Sequence, residues 1–92
     1  MIEKTFIINN RLGLHARPAS LFVKTTSRFA SSVKIVRDGQ EIDGKSIMGL
    51  LMLAAGPGTA LTIVADGPDE NDVLAAVGDL FTRHFDDDIE GD

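Results

Sequence analysis

The chain has 92 residues, 43% of them hydrophobic, enough for one soluble domain with a modest core and too few for two. Cysteine is absent, which removes a disulfide framework and a thiolate metal site; no apolar run reaches the ~20 residues that span a bilayer, no signal peptide is expected, and the chain reads as cytoplasmic without membrane insertion. Net charge is −5 but lopsided, with eight bases and four acids in residues 1–45 against one base and ten acids in residues 46–92, which points to a local basic surface for an acidic partner.

The lack of Trp and Tyr, with an acidic pI near 4.8, argues against nucleic-acid binding. Thr5-Phe-Ile-Ile8, with Ile2 before it, is rich in β-formers and predicts a first strand ended by Asn9-Asn-Arg11. Next comes Leu12-Gly-Leu-His15-Ala-Arg17-Pro18-Ala19, which places one imidazole just before a helix start. Pro18 has its φ fixed near the helical value and lacks an N–H, so it suits a first turn, and Gly13 lets the incoming chain turn sharply. His15 is then expected beside the outward amides of Ala16 and Arg17, where the helix dipole presents positive charge and favours anions. Such a field disfavours the imidazolium and leaves a neutral nucleophile. A phosphoryl group on that ring would meet helix amides and the Arg17 guanidinium. A lone histidine is more often structural than reactive. Arg17 and Pro18 bring the two readings level.

The first helix is predicted from Ala16 to Ser27, with Ala19, Phe22, Val23 and Thr26 as its core face and Phe29 beyond. Arg17, Leu21, Lys24 and Arg28 recur on the other face, where an exposed leucine among cations marks a docking surface. Val33–Arg37 reads as a second strand, Asp38-Gly39 as a two-residue hairpin turn, and Gln40–Asp43 as a short polar edge strand. Ser46 is placed to cap a helix over Ile47–Ala55. That segment is apolar all round. Leu50 and Leu53 are assigned to the core, leaving Ile47, Met48 and Leu51 as a patch for several partners. After Gly56-Pro57-Gly58, Ala60–Asp66 is the fourth strand. Asp69, Glu70 and Asp72 favour the start of a last helix buried through Val73, Leu74, Val77, Leu80 and Phe81. Gly78 inside it costs roughly 1 kcal/mol against alanine and weakens the case for an unbroken helix. His84 is expected at the surface. Residues 86–92 read as an acidic, flexible tail to a domain of residues 1–85.

The order β-α-β-β-α-β-α predicts an α+β open-faced sandwich, a four-stranded antiparallel sheet with three helices on one face. Leu12–Ala19 resembles the active-site motif of HPr, the phosphocarrier of the bacterial phosphoenolpyruvate-dependent phosphotransferase system. Gly44-Lys45-Ser46-Ile-Met-Gly-Leu50 resembles that family's regulatory-serine segment, and the likeness covers nearly all of residues 2–82. The resemblance implies a carrier rather than an enzyme. In that reading Enzyme I phosphorylates His15, a IIA component accepts the group, Arg17 steadies the phosphate, the Ala16 amide assists and Pro18 sets the loop geometry. It also implies regulatory phosphorylation of Ser46 by HPr kinase/phosphorylase, and docking through Leu21, Lys24, Arg28, Lys45, Ile47, Met48 and Leu51. No cofactor or metal is implied, and a monomer is expected. Two alternatives stay open: the nitrogen-type branch (NPr) rather than sugar transport, and a split β-α-β interaction or ligand-sensing domain that is never phosphorylated.

Overall fold

The computed structural model describes residues 1–9, 13–53, 55–83 and 85. In chain order it contains β1 (Ile2–Ile7), α1 (Ala16–Thr26), β2 (Ser32–Arg37), β3 (Gln40–Asp43), α2 (Ile47–Leu53), β4 (Ala60–Asp66) and α3 (Glu70–Thr82). The strands form one antiparallel sheet in the order β1-β4-β2-β3, so β1 and the polar β3 are its edges. Alternation decides which face is covered. Val33 and Ile35 in β2 and Leu61, Ile63 and Ala65 in β4 are buried, while Ser32, Lys34, Ala60 and Asp66 between or beside them are exposed. The helices supply the matching stripes: Ala19 and Phe22 from α1, Leu50 and Leu53 from α2, Val73, Val77, Leu80 and Phe81 from α3. Burying each of the larger aliphatic side chains contributes about 1.5–3 kcal/mol. This is the predicted open-faced sandwich.

Local chemistry sets the boundaries. Asp38 and Gly39 both have positive φ (49° and 81°), the geometry of a hairpin turn that follows strand twist. α1 ends at Thr26, and Ser27 is its C-cap; the Thr26 hydroxyl is buried and donates to the Gly44 carbonyl at 2.8 Å. Along the core face Pro18 and Thr25 are buried, whereas Val23 is only half-buried. α2 is described over Ile47–Leu53, and Ala55, the predicted end, is outside the helix; the Arg37 guanidinium donates to the Leu53 carbonyl (2.7 Å), satisfying an acceptor in the last turn. α3 runs unbroken through Gly78. The Phe6 ring lies against that glycine, 3.4 Å from where a Cβ would stand, and stacks on Phe81 with centroids 4.7 Å apart.

Asp69 stands at the start of α3, where its charge is expected, and does a second job there. Its carboxylate makes no cap bond to α3; it accepts from the amides of Ala30 and Ser31 (3.0 and 2.9 Å) and from the Ser31 hydroxyl, tying the turn after α1 to the start of α3. Phe85, absent from the predicted core, is 1% exposed and packs edge-to-face on Phe81. The strand end at Asn10-Arg11, Leu12 of the histidine motif, Ala54, His84 and residues 86–92 lie outside the described residues.

Candidate functional site

His15 is the N-cap of α1, with extended backbone (φ −112°, ψ −165°). Its side chain makes no cap bond, while its carbonyl accepts the first helical hydrogen bond from Ala19 at 2.9 Å. The ring belongs to a half-exposed residue at the beginning of a helix, as the motif predicts. Its backbone is held from both sides. The His15 amide donates to Gly13, and the Leu14 amide donates to Ala55 at 2.8 Å, which pins the loop to the exit of α2. Gly13 makes this possible: its φ is +73°, and a Cβ there would strike the Ala55 carbonyl oxygen and stand 2.8 Å from Gly56 Cα. Leu14 is buried beneath the loop, so the imidazole is presented by a fixed support.

Ala16 and Arg17 are exposed at the first two helical positions, whose amides have no acceptor within a helix; Pro18, next along, is buried and contributes no donor. The first turn therefore places the positive end of the helix dipole next to His15, with Arg17 two residues along the chain. The other predicted residues divide by neighbourhood. Lys24 is exposed on α1, and Arg28 is exposed in the turn just beyond it, over the Phe29 ring. Leu21, expected to be exposed, is half-buried and packs on the core, because its stem fills the margin between the helix and the chain end. Lys45, expected to face partners, is half-buried with its ammonium donating to the Phe29 carbonyl at 2.9 Å.

Ser46 caps α2. Its Oγ accepts from the Gly49 amide at 3.1 Å, and its carbonyl accepts from Leu50. Leu50 and Leu53 are buried, while Ile47, Met48 and Leu51 are exposed by 41%, 68% and 36%, so this helix shows solvent an apolar surface. Met52, 72% exposed, extends the patch and was not singled out in the sequence. The signal was present: a helix apolar at every position cannot bury more than one stripe on a sheet. No helix among the described residues is long and apolar enough to cross a membrane. Among the described residues no group of three His, Asp or Glu side chains could hold a metal.

A half-exposed histidine on a braced helix start, beside an uncovered apolar helix, marks a small α+β domain whose chemistry sits at its surface. The comparisons with known proteins agree. A family model described as the PTS HPr component phosphorylation site matches residues 2–83. The chain is 47% identical to the phosphocarrier protein HPr of Treponema pallidum over 85 residues, covering 92% of this chain and 97% of that one. Among solved structures, HPr-C-His from Thermoanaerobacter tengcongensis superposes with a TM-score of 0.89 at 41% identity, over 92% of this chain and 96% of that one. An HPr dimer from the same organism gives a TM-score of 0.74 at 41% identity, covering 92% and 98%. The chain belongs to the HPr family of phosphocarrier proteins, which carry a phosphoryl group rather than catalyse a reaction of their own.

Proposed function

We propose that His15 accepts a phosphoryl group from phosphorylated Enzyme I and passes it to a IIA component, in sugar transport or its regulation, in the cytoplasm. The observation that carries this reading is the position of His15: the N-cap of α1, half-exposed, on a loop held by the Leu14–Ala55 hydrogen bond. In the first transfer the bond from phosphorus to the Enzyme I donor breaks as one to a His15 ring nitrogen forms; in the second that P–N bond breaks, with the nitrogen as leaving group, as phosphorus bonds to the nucleophile of the IIA acceptor. Such a transition state spreads charge over the phosphoryl oxygens, so catalysis is mostly positioning and electrostatic stabilisation. The amides of Ala16 and Arg17 and the Arg17 guanidinium supply that locally. A carrier must not hold its cargo too tightly, or the onward step slows; a few exposed donors meet that limit better than a closed pocket. Pro18, buried in the first turn, fixes the direction in which Arg17 leaves the helix.

Docking falls to Leu21 and Lys24 on α1, to Arg28 in the turn after it, and to Ile47, Met48, Leu51 and Met52 on α2, with Lys45 acting through its support of the Phe29 carbonyl. Ser46 is the site for HPr kinase/phosphorylase. A phosphate there keeps the helix start and adds negative charge to a surface that must meet acidic partners. Full-length relatives named phosphocarrier protein HPr favour the general carrier over the nitrogen-type branch and over an unphosphorylated interaction domain. The working form is a monomer, since one ring must face two partners in turn. The test is a relay: with Enzyme I and phosphoenolpyruvate, label should reach a IIA acceptor only when this protein is added. Transfer by the His15→Ala variant would remove the proposal, and a preference for nitrogen-type over sugar-type acceptors would reassign the branch.

A further inference from the structure

The negative end of α2 carries no cation of its own. Its last turn holds no basic residue, and the final carbonyls of a helix have no donor within it. Arg37 supplies the cation from the sheet. It is the last residue of β2, an inner strand between β4 and β3, and its guanidinium donates to the Leu53 carbonyl at 2.7 Å. Pairing with Gln40 across the Asp38-Gly39 turn fixes the strand end from which it reaches. A charged donor makes the stronger hydrogen bond, and Leu53, itself buried, accepts it in a part-buried setting. The other contact of Arg37, to Asp38 at 3.8 Å, ends on a carboxylate that is 93% exposed and contributes little.

Two residues beyond Leu53, the buried Ala55 offers its carbonyl to the Leu14 amide (2.8 Å) and lies against Gly13. The His15 amide in turn donates to the Gly13 carbonyl. The connection from α2 to β4 is thus held on both sides of Ala55. On the far side the Gly58 amide donates to Ile8 and the Ile8 amide to Thr59, at 2.6 and 2.9 Å. On the near side the tie is Arg37. α2 has only seven residues, too few for its internal bonds to hold its end, and the Ser46 cap secures the opposite end.

We infer that Arg37 is a positioning residue for His15: its hold on the Leu53 carbonyl fixes the exit of α2, and that exit, through the Ala55 carbonyl, sets where the histidine loop stands. Its effect on transfer rests on the phosphocarrier reading, whereas its effect on the loop does not. Arg37 acts without touching the phosphoryl group. A reaction that depends on placing its nucleophile loses rate when the nucleophile wanders, even while the partner still binds. Loosening Arg37 therefore lowers kcat for acceptance more than it raises KM.

The experiment compares wild type with Arg37→Gln, Arg37→Lys and Asp38→Asn. Arg37→Met, which keeps the packing of the stem, stands in should the glutamine variant fail to fold. Amide hydrogen exchange is followed by NMR at Leu14, with Ile63 on the inner strand β4 as the reference for global opening. In Arg37→Gln, Leu14 should exchange about tenfold faster relative to Ile63. With Enzyme I, kcat should fall several-fold while KM stays within about twofold. Arg37→Lys keeps a charged donor and should restore most of both; Asp38→Asn should change neither. Leu14 exchange that moves only in step with Ile63 would overturn the inference, making Arg37 a residue of global stability. A raised KM at unchanged kcat would also overturn it, placing Arg37 in the docking face. Equal losses in the lysine and glutamine variants would rule out the hydrogen bond as the cause. If wild type itself accepts no phosphoryl group, the carrier reading fails, and the exchange data still decide whether Arg37 holds the loop.

Discussion

Gly13 is the residue on which the histidine depends. Its left-handed φ and the Ala55 carbonyl pressed against its Cα leave no room for a side chain. Gly13→Ala should cost more than about 1 kcal/mol in unfolding free energy and should lower phosphoryl acceptance further than the stability loss accounts for, because the His15 loop must lift away. Equal stability in a urea titration would show that the loop is not braced as described. Ser46 separates two roles in the same way. Ser46→Ala removes the acceptor for Gly49 and should destabilise by about 1 kcal/mol. Ser46→Asp should keep the cap and stability while raising the KM for Enzyme I; unchanged kinetics would leave Ser46 as a cap alone. Much of this scale was readable from residue type, since His15, Pro18 and Ser46 each have few conformational uses. Lys45 and Leu21 were not, because whether a long side chain reaches partners or its own backbone depends on a neighbour distant in sequence, here the Phe29 carbonyl for Lys45.

At the scale of elements, periodicity together with turn and cap residues located the strands and helices: α1 and α3 by their apolar stripes, β3 by the Asp38-Gly39 turn, α2 by the Ser46 cap. What these signals do not carry lies where a side chain arrives from elsewhere. Arg37 reaches the Leu53 carbonyl, Phe6 packs over Gly78, and Asp69 clamps the turn after α1. None of these long-range pairs has a local signature. α2 carries the element-scale prediction. Its outer residues touch solvent, so Met48→Asp should change stability by no more than about 0.5 kcal/mol. The same substitution should markedly weaken binding to Enzyme I and to the IIA acceptor, measured by calorimetry or by transfer kinetics. Undiminished binding would move docking off α2 and on to the basic face of α1.

Across the whole molecule, the two ends of the fold are held by carboxylates. Hydrogen bonds from the Ser31 hydroxyl and the Ala30 amide hold Asp69 below the ordinary carboxylate range. The Gly67 amide and the N-terminal ammonium do the same for Glu70. A carboxylate whose folded value is depressed adds stability above its unfolded value and loses it as pH falls through the folded one. Unfolding free energy should therefore decline as pH drops below about 4. The difference between wild type and Asp69→Asn should shrink over that same window; a constant difference would mean that the clamp does not need the charge. The Met1 ammonium, raised chiefly by its hydrogen bond to Glu70, works in the opposite direction and is lost only as pH rises through its raised value. Fold and class were legible in the sequence because strand alternation, helix stripes and the histidine motif all agree. What was not legible is the closure at the chain end, where Phe85 and Phe81 join α3 to the margin of α1. The relay remains the claim on which everything else turns, and intact mass spectrometry after incubation with Enzyme I and phosphoenolpyruvate tests it most directly. Wild type should gain a single acid-labile phosphoryl group, absent from His15→Ala. A fully labelled His15→Ala protein, or an unlabelled wild type, would contradict the account.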